Sequence, residues 1–407
     1  MKHVLLIAPY FGPTMRTCLE AFTKLEDVKL GLISNQPQEA VPDSLLASIE
    51  GHYRVDNALN PDELERAVKA FIDEWGRVDR LIGYLEQLQG PMAEVRSRLD
   101  IPGMKRDVAT RFRDKNAMKD ALREAGLPVA RQKRITSAQD VRTFVESVGY
   151  PIVLKPLAGV GSKNTVRVAN EEEMLGALNL LLPSESSPIQ AEQFVQGEEH
   201  TLESVTINGE TVWQSSTYYL PGPLKVIENP WMQYCVLLPR ERMPAHVSAF
   251  APTNERALKA LGMETGLSHM EWFSTPESGP VISEVGARPP GVNIMPMMGF
   301  AHGVNFWEKW AELLVHDRWD IPERQFAVGA AFLRAQGRGR SIAEVHGLQE
   351  AQAAVRGMVL GAKLPRIGQP RSSHYEGEGF IIIHAPETDA VVQGLRDIIS
   401  NVRVIAG

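Results

Sequence analysis

One uninterrupted apolar run near the N-terminus limits the possible folds more than any other feature of this sequence. Val4 to Ala8 contains no polar residue and leads directly into Pro9-Tyr10-Phe11-Gly12-Pro13. Such runs are typical of strands in parallel sheets, which are covered on both faces. A helical stretch and a second apolar run, residues 28–33, follow. Because parallel strands are joined by crossovers, this order predicts alternating strands and helices.

A further helix and a third strand continue the alternation. Asn60 followed by Pro61 is typical of a helix start, with a capping side chain and then proline in the first turn. Apolar residues recur at helical spacing from Leu64 to Trp75, and residues 78–83 resemble another strand. We therefore predict a doubly wound α/β lobe over residues 1–100. No G-x-G-x-x-G motif follows the first strand, which argues against a dinucleotide-binding domain.

The pattern changes after residue 100, where strands and helices no longer alternate regularly. Asp114 is a typical cap for a new helix, and Asn208-Gly209 is typical of a two-residue hairpin turn. Mixed strands and helices of this kind predict α+β lobes. We divide the rest of the chain into three predicted parts, residues 101–190, 191–325 and 326–407. The predicted fold class is a multi-domain protein with an α/β N-terminal lobe and α+β lobes.

Composition and charge exclude several classes of protein. A net charge of −7 and the absence of a Lys/Arg-rich tail argue against nucleic-acid binding. With only two cysteines, Cys18 and Cys235, a disulfide framework is not expected, and the cytoplasm is the expected location. No apolar stretch predicts a secretory signal or a membrane span, so we expect no membrane partner. A homodimer is compatible with the sequence, which does not specify the assembly.

A lysine at the end of an apolar strand is the first candidate for chemistry. Lys155 ends the run that begins at Ile152, and a turn with Gly159, Gly161 and Ser162 follows. Isolating an ammonium from water is costly, so packing alone does not explain such a lysine. Backbone N–H groups of a glycine-rich turn, together with positive charge, suit a polyphosphate. The alternative is a hairpin turn beside a lysine that reaches solvent.

A second candidate segment combines hydrogen-bond acceptors with apolar side chains. Glu192, Phe194 and Val195 precede Glu199 in residues 190–200. Backbone groups of such a strand suit the edge of an adenine base, apolar side chains suit its face, and a nearby carboxylate suits ribose hydroxyls. A plain edge strand is the alternative for this segment.

The third candidate is a pair of glutamates on two predicted hairpin strands. Glu271 and Glu284 have apolar neighbours, and an inward carboxylate there is costly unless it is paired or bound to metal. Mg²⁺ prefers oxygen ligands and phosphate, and it would offset the repulsion between the two carboxylates. Arg288 follows closely and suits bidentate contact with a phosphoryl group or a carboxylate. The alternative is a solvent-facing hairpin with an ion pair between Glu271 and Arg288.

Taken in chain order, these motifs resemble the ATP-grasp superfamily. The order is a lysine at a helix start, Lys115, then a lysine with a glycine-rich turn, then Glu-x-Phe-Val-x-Gly-Glu-Glu and two spaced glutamates. The resemblance extends over residues 80–310. It is strongest to the biotin-carboxylase-like carboxylate–amine ligases, which include L-amino-acid ligases, because residues 83–86 and 284–291 resemble their motifs.

The resemblance implies that ATP lies between two α+β lobes and that Mg²⁺ is the cofactor, with Mn²⁺ as an alternative. The residues implied for ATP binding are Lys115, Lys155, Gly159, Gly161, Ser162, Glu192, Phe194, Val195 and Glu199. Glu271 and Glu284 would hold the metal, and Arg288 and Asn293 would meet the substrate. Many ATP-grasp enzymes have asparagine where this chain has Gly286, so a third protein ligand is undefined and Asn293 is one candidate.

These observations predict an ATP-dependent carbon–nitrogen ligase that releases ADP and phosphate through an acyl phosphate. Its expected partners are ATP, a small carboxylate and an amine, with amino acids as the expected substrates. One alternative is a carboxylase that uses bicarbonate, although the phosphate loop differs from that of biotin carboxylase. Another is a non-catalytic ATP-binding module, against which the presence of both Glu271 and Glu284 argues. Residues 218–234 are the predicted substrate-covering loop.

Overall fold

The computed structural model describes residues 1–157, 164–229, 231–275 and 279–407. Its helices are α1 (Pro13–Thr23), α2 (Asp43–Leu46), α3 (Pro61–Trp75), α4 (Gln89–Arg98), α5 (Arg106–Arg113), α6 (Lys115–Glu124), α7 (Ala138–Val148), α8 (Glu171–Leu181), α9 (Pro223–Glu228), α10 (Ala245–Leu261), α11 (Ile294–His302), α12 (Phe306–His316), α13 (Leu348–Ala354) and α14 (Thr388–Asn401). Its strands are β1 (Lys2–Ile7), β2 (Val28–Ser34), β3 (Gly51–Arg54), β4 (Arg80–Ile82), β5 (Gln132–Ile135), β6 (Ile152–Pro156), β7 (Val166–Val168), β8 (Ile189–Gln193), β9 (Glu198–Ile207), β10 (Glu210–Leu220), β11 (Tyr234–Leu238), β12 (Gly266–Thr275), β13 (Gly279–Gly286), β14 (Ala327–Leu333), β15 (Ala335–Gln336), β16 (Ile342–His346), β17 (Val359–Lys363), β18 (Gly379–Ala385) and β19 (Arg403–Ala406).

The N-terminal lobe is built on a parallel sheet with the strand order β3-β2-β1-β4. The apolar run in β1 lies at its centre, and Val4 to Ala8 are fully buried. Helix α3 begins as predicted, because the Asn60 side chain accepts a hydrogen bond from the Asp62 N–H. It ends at Gly76, whose φ of 83° suits a residue without a Cβ. The predicted α/β arrangement of this lobe is confirmed.

A four-stranded sheet with the order β5-β8-β6-β7 forms the next lobe, and each neighbouring pair in it is antiparallel. Ser137 and Asn170 cap helices α7 and α8, because their side chains accept hydrogen bonds from backbone N–H groups in the first turn. Apolar side chains from these two helices and from the sheet pack into one buried cluster. One face of the sheet is therefore fixed by the core, and the opposite face is available for polar side chains.

An eight-stranded sheet with the order β13-β12-β9-β10-β11-β14-β18-β17 makes up the largest layer. The turn between β9 and β10 is the predicted hairpin, with φ of 51° at Asn208 and 84° at Gly209. Strands β14, β17 and β18 come from beyond residue 325, so the sheet draws on both sides of that position. The mixed α and β fold class is confirmed, whereas the division into domains stays a prediction.

The segment 218–234 differs from the loop that the sequence predicts. Its first residues extend β10, because Tyr218, Tyr219 and Leu220 pair with residues 235–237 of β11. Helix α9 follows and begins at Pro223, where proline is well tolerated because the first helical N–H needs no intrahelical acceptor. The predicted loop is therefore wrong for the part that joins the sheet, and a covering role stays a prediction.

Within the described ranges, no helix is both long enough and apolar enough to cross a membrane. Helix α10 has 17 residues and carries both a proline and charged side chains.

Candidate active site

A cleft of about 1160 Å³ lies where the antiparallel four-stranded sheet β5-β8-β6-β7 meets the eight-stranded sheet. It exceeds the roughly 300–1,000 Å³ of a typical site for one small ligand, so a nucleotide and a second molecule can fit together. Every predicted site residue in the described part of the chain lines it: Lys115, Lys155, Glu192, Phe194, Val195, Glu199, Glu271, Glu284, Arg288 and Asn293. Gly159, Gly161 and Ser162 lie outside the described residues.

Strand alternation in the four-stranded sheet presents Lys155 to the cleft. Ile152 and Leu154 of β6 are fully buried in the core of this lobe. Val153 and Lys155, on the other face of the strand, line the cleft. Glu192 of β8 lies opposite Val153 in the antiparallel register, so it shares that face. The apolar pattern of β6 therefore determines the direction of the lysine.

Lys119, Lys155 and Glu192 form a buried ionic cluster on this wall. The Lys155 ammonium lies 2.7 Å from Glu192 Oε2, and Lys119 donates a hydrogen bond to Oε1 of the same carboxylate. Gln190 donates to Oε2 at 2.8 Å. Burial alone would raise the pKa of Glu192, but the two lysines outweigh it and lower the pKa to about 2. The carboxylate is therefore ionised and holds both ammonium groups in place.

Lys119 is a site residue that the sequence analysis missed. It is fully buried, and burial lowers its pKa to about 8 against the opposing effect of Glu192. Lys115 and Lys119 are four residues apart in α6, which places them on one helix face. This spacing is the signal that could have identified Lys119.

A β-bulge turns Glu284 towards the cleft. Ile282 and Val285 are both fully buried, although an undistorted strand would place them on opposite faces. The register shifts so that Glu271 lies opposite Glu284 while Trp272 lies opposite Ile282, which leaves Ser283 as the extra residue. Bulges re-aim side chains in this way. Both glutamates consequently lie on the cleft face of β12 and β13.

The two glutamates have different neighbours. Lys115 donates a hydrogen bond of 2.8 Å to Glu284 Oε1. Burial would raise the pKa of Glu284, but the positive charges of Lys115 and Lys155 outweigh it and lower the pKa. Glu271 accepts a hydrogen bond of 3.4 Å from the Tyr219 hydroxyl. Glu284 thus faces the lysines, whereas Glu271 accepts from a tyrosine hydroxyl.

His269 connects Glu271 to a fully buried carboxylate. Its Nδ1 lies 2.8 Å from Glu203 Oε1, and its Nε2 lies 3.7 Å from Glu271 Oε1. Thr217 donates to the second oxygen of Glu203 at 2.7 Å. Burial would lower the pKa of His269, but the hydrogen bonds and negative charges of Glu203 and Glu271 raise it to about 9. No local pattern in the sequence indicates this pair, because Glu203 lies on another strand.

Glu199 lies near Glu271 and Glu284, the two candidate metal ligands. Burial, followed by repulsion from Glu271, raises the pKa of Glu199 to about 8. Its Oε2 also fills the space beside Gly222, where an added Cβ would lie only 2.4 Å away. The two oxygens of this carboxyl can accept hydrogen bonds from ribose hydroxyls.

The donor set fits a magnesium ion that is shared with a nucleotide. Glu271 and Glu284 are directly opposite each other, and ionised carboxylates this close gain from a cation between them. No cluster of three or more His, Cys, Asp or Glu side chains suited to a metal occurs in the described ranges. Mg²⁺ usually keeps several waters and binds through one or two carboxylates plus substrate phosphates, so two are sufficient.

Arg288 and Asn293 also line the cleft. Arg288 contacts Glu86, so its side chain has a fixed partner in the N-terminal lobe. Asn293 precedes α11 with a φ of 61° and makes no side-chain hydrogen bond to that helix. A Cβ at Gly286 would make ordinary contact with Arg288 at 3.7 Å, so the position has space for a side chain.

Comparison with known proteins identifies a family and individual enzymes whose sequences are similar to this chain. Residues 114–201 match the family described as carbamoyl-phosphate synthase L chain, ATP binding domain. Alanine–anticapsin ligase of Bacillus subtilis (strain 168) is 25% identical over 309 residues, which cover 69% of this chain and 62% of that protein. An L-arginine-specific L-amino acid ligase of Bacillus subtilis is 24% identical over 247 residues, which cover 59% of each chain. The chain therefore spans about 60% of the length of these two relatives.

Among solved structures, the L-amino acid ligase from Bacillus licheniformis superposes with a TM-score of 0.77. The superposition covers 100% of this chain and 99% of that one at 20% sequence identity. Likeness at this identity shows the fold, and it extends over the whole chain.

Proposed function

We propose that the chain is an ATP-grasp carboxylate–amine ligase, which uses ATP to join a small carboxylate to an amine. One observation carries the proposal: a single cleft has lysines on one wall and a facing pair of carboxylates on the other. Lys115 and Lys155 form the first, and Glu271 and Glu284 form the second. A polyphosphate needs the cations, and a metal that neutralises it needs the carboxylates.

In the first step, a substrate carboxylate oxygen attacks the γ-phosphorus of ATP and the bond to the β-phosphate oxygen breaks. ADP leaves, and an acyl phosphate forms. Such transfer depends mostly on positioning and on neutralising charge, rather than on a general base. Lys115 and Lys155 hold the phosphates, and Arg288 holds the acceptor carboxylate. These assignments rest on the positions of the three side chains in the cleft.

Glu271 and Glu284 would hold the Mg²⁺ ion, or Mn²⁺ in its place. The metal supplies charge neutralisation at the phosphate oxygens when it is bound. In its absence Lys115 lies against Glu284, so the chain itself limits the repulsion between the two carboxylates. Phe194 and Val195 provide apolar surface for the adenine, and Glu199 provides hydrogen bonds for the ribose.

In the second step, the amine nitrogen attacks the acyl carbon and phosphate leaves, with loss of a proton to solvent. Amino acids are the substrates we propose, because the compared ligases act on them by name. The lining of the cleft supports this choice. It includes uncharged side chains, among them Tyr84, Met295 and Trp307, and these suit the side chain of an amino acid.

The test is a screen for ADP and phosphate release with Mg-ATP and amino acids, singly and in pairs. We expect release that needs two amino acids and yields a dipeptide detectable by mass spectrometry. Release with bicarbonate and no amino acid would instead identify a carboxylase. Binding of Mg-ATP with no turnover across all pairs would identify a binding module and would remove the proposed function.

A further inference from the structure

We propose that Glu86 is a positioning residue, which holds the Arg288 guanidinium in the orientation that receives the substrate carboxylate. This inference rests on the proposed function, because that function gives Arg288 its ligand. Glu86 also lines the cleft, and the role proposed for it is exerted through Arg288. It comes from the N-terminal lobe, so the proposal also gives that lobe a direct part in the reaction.

Glu86 contacts one side of the Arg288 guanidinium, formed by Nε and Nη2. Arg288 Nε donates to Glu86 Oε2 at 3.0 Å, and Nη2 lies 2.9 Å from the same oxygen. The other oxygen of Glu86, Oε1, accepts a hydrogen bond from Arg113 at the end of α5. The carboxylate thus bridges two guanidinium groups, and 202 positions separate it from Arg288 in the sequence.

Burial makes this contact strong and directional. The side chain of Glu86 is 8% exposed, and those of Arg113 and Arg288 are 19% and 18% exposed. Charged hydrogen bonds that are shielded from water hold their geometry better than surface pairs. One carboxylate between two guanidinium groups leaves a net positive charge, which suits a second anion beside Arg288.

Arg288 keeps donors for that second anion. Nη1 donates to the Pro289 carbonyl at 2.9 Å, and Nε donates to Glu86. A guanidinium has five N–H groups, so each Nη atom retains at least one N–H without a hydrogen-bond partner among the described residues. Arg288 lines the cleft, so these donors can reach a bound ligand. With one edge fixed by Glu86, the remaining edge is preorganised for a planar carboxylate.

A purely structural role for Glu86, as a link between lobes, predicts a different result on mutation. A structural link affects thermal stability and all substrates together. If Glu86 positions Arg288, a substitution of Glu86 raises KM selectively for the carboxylate substrate. This effect disappears in a variant that lacks the Arg288 guanidinium. The two roles are therefore separable by kinetics and by a double-mutant cycle.

The experiment compares Glu86→Gln with wild type, using the amino acid that gives the highest ADP release in the screen. We expect KM for that amino acid to rise about tenfold or more, as for loss of a charged hydrogen bond, with KM for ATP changed by less than about twofold. Glu86→Asp keeps the charge and should restore part of the affinity. Equal KM values for wild type and Glu86→Gln would overturn the proposal.

Glu94→Gln is the matched control. Glu94 also bridges two arginines, Arg98 at 2.9 Å and Arg106 at 3.4 Å, but it does not line the cleft. This variant should leave both KM values unchanged. In an Arg288→Lys background, Glu86→Gln should have little further effect on KM. A full and additive effect there would show that Glu86 acts by another route and would overturn the proposal.

A crystal structure of Glu86→Gln decides the positioning claim without any turnover. We expect the Arg288 side chain to leave the position that it holds beside residue 86. An unchanged Arg288 would overturn the proposal, whatever the kinetics. A wild-type protein that releases no ADP in the screen would remove the proposed function, and the crystal structure would still test whether Glu86 holds Arg288.

Discussion

Replacing Glu192 with glutamine removes a carboxylate that lies between two buried ammonium groups. Glu192 is 5% exposed, Lys119 is fully buried and Lys155 is 9% exposed. Breaking a buried ion pair by removing one partner costs about 3–5 kcal/mol, because the other charge is left uncompensated. The pKa of Glu192 falls from 4.5 to about 2. That difference corresponds to about 3 kcal/mol of stability at neutral pH, in agreement with the first figure.

The assay is thermal unfolding of the ligand-free protein at pH 7. We expect Glu192→Gln to lower the unfolding temperature by about 5 °C or more, since a cost of this size shifts Tm by several degrees. Glu171→Gln is the matched control, because Glu171 pairs with Arg142 at 2.9 Å while both side chains are about half exposed. A surface pair contributes about 0–1 kcal/mol, so the control should unfold close to wild type.

The pH dependence gives a second and independent check. A carboxylate whose folded pKa is depressed stabilises the protein fully above its unfolded pKa of 4.5, and this stabilisation is lost as pH falls towards 2. The difference in Tm between wild type and Glu192→Gln should therefore shrink as the pH falls below 4.5. If Glu192→Gln and the control Glu171→Gln unfold at the same temperature at pH 7, the ionic cluster around Glu192 does not stabilise the protein and the reasoning is refuted.

Three further predictions concern ligands. Lys155→Ala should weaken Mg-ATP binding about tenfold or more, since a charged hydrogen bond is lost, and unchanged affinity in calorimetry would remove Lys155 from the site. Glu284→Gln should lower ADP release about 100-fold or more, because the metal that neutralises the transferred group would lose a charged ligand; full turnover would exclude Glu284 as a metal ligand. Arg288→Lys should raise KM for the carboxylate substrate, because an ammonium cannot replace the planar fork; wild-type activity at limiting substrate would contradict this role.

Local signals in the sequence predicted much of the fold. Asn60 and Asp114 cap the helices that they were expected to cap, because a side-chain acceptor meets N–H groups only a few positions away. The apolar run in β1 predicted a central parallel strand, and Asn208-Gly209 predicted a hairpin. In each case the deciding interaction lies within a few residues of the signal.

The candidate site was predictable only in part, since several of its contacts join distant segments. An alternating pattern would place Glu284 on the same face as Ile282, and only the bulge at Ser283 turns it to the cleft. The contact of Glu86 with Arg288 spans 202 positions, and no local pattern indicates it. Lys119 is the exception, because its spacing from Lys115 follows the helix period.

The central claim is that phosphate passes from ATP to a substrate carboxylate before the amide bond forms. The direct measurement uses a carboxylate substrate labelled with ¹⁸O in its carboxyl group, together with Mg-ATP and the amine. An acyl phosphate leaves one labelled oxygen on the phosphate when the amine attacks, so mass spectrometry should find phosphate with a single ¹⁸O. Unlabelled phosphate accompanied by amide product would contradict the account.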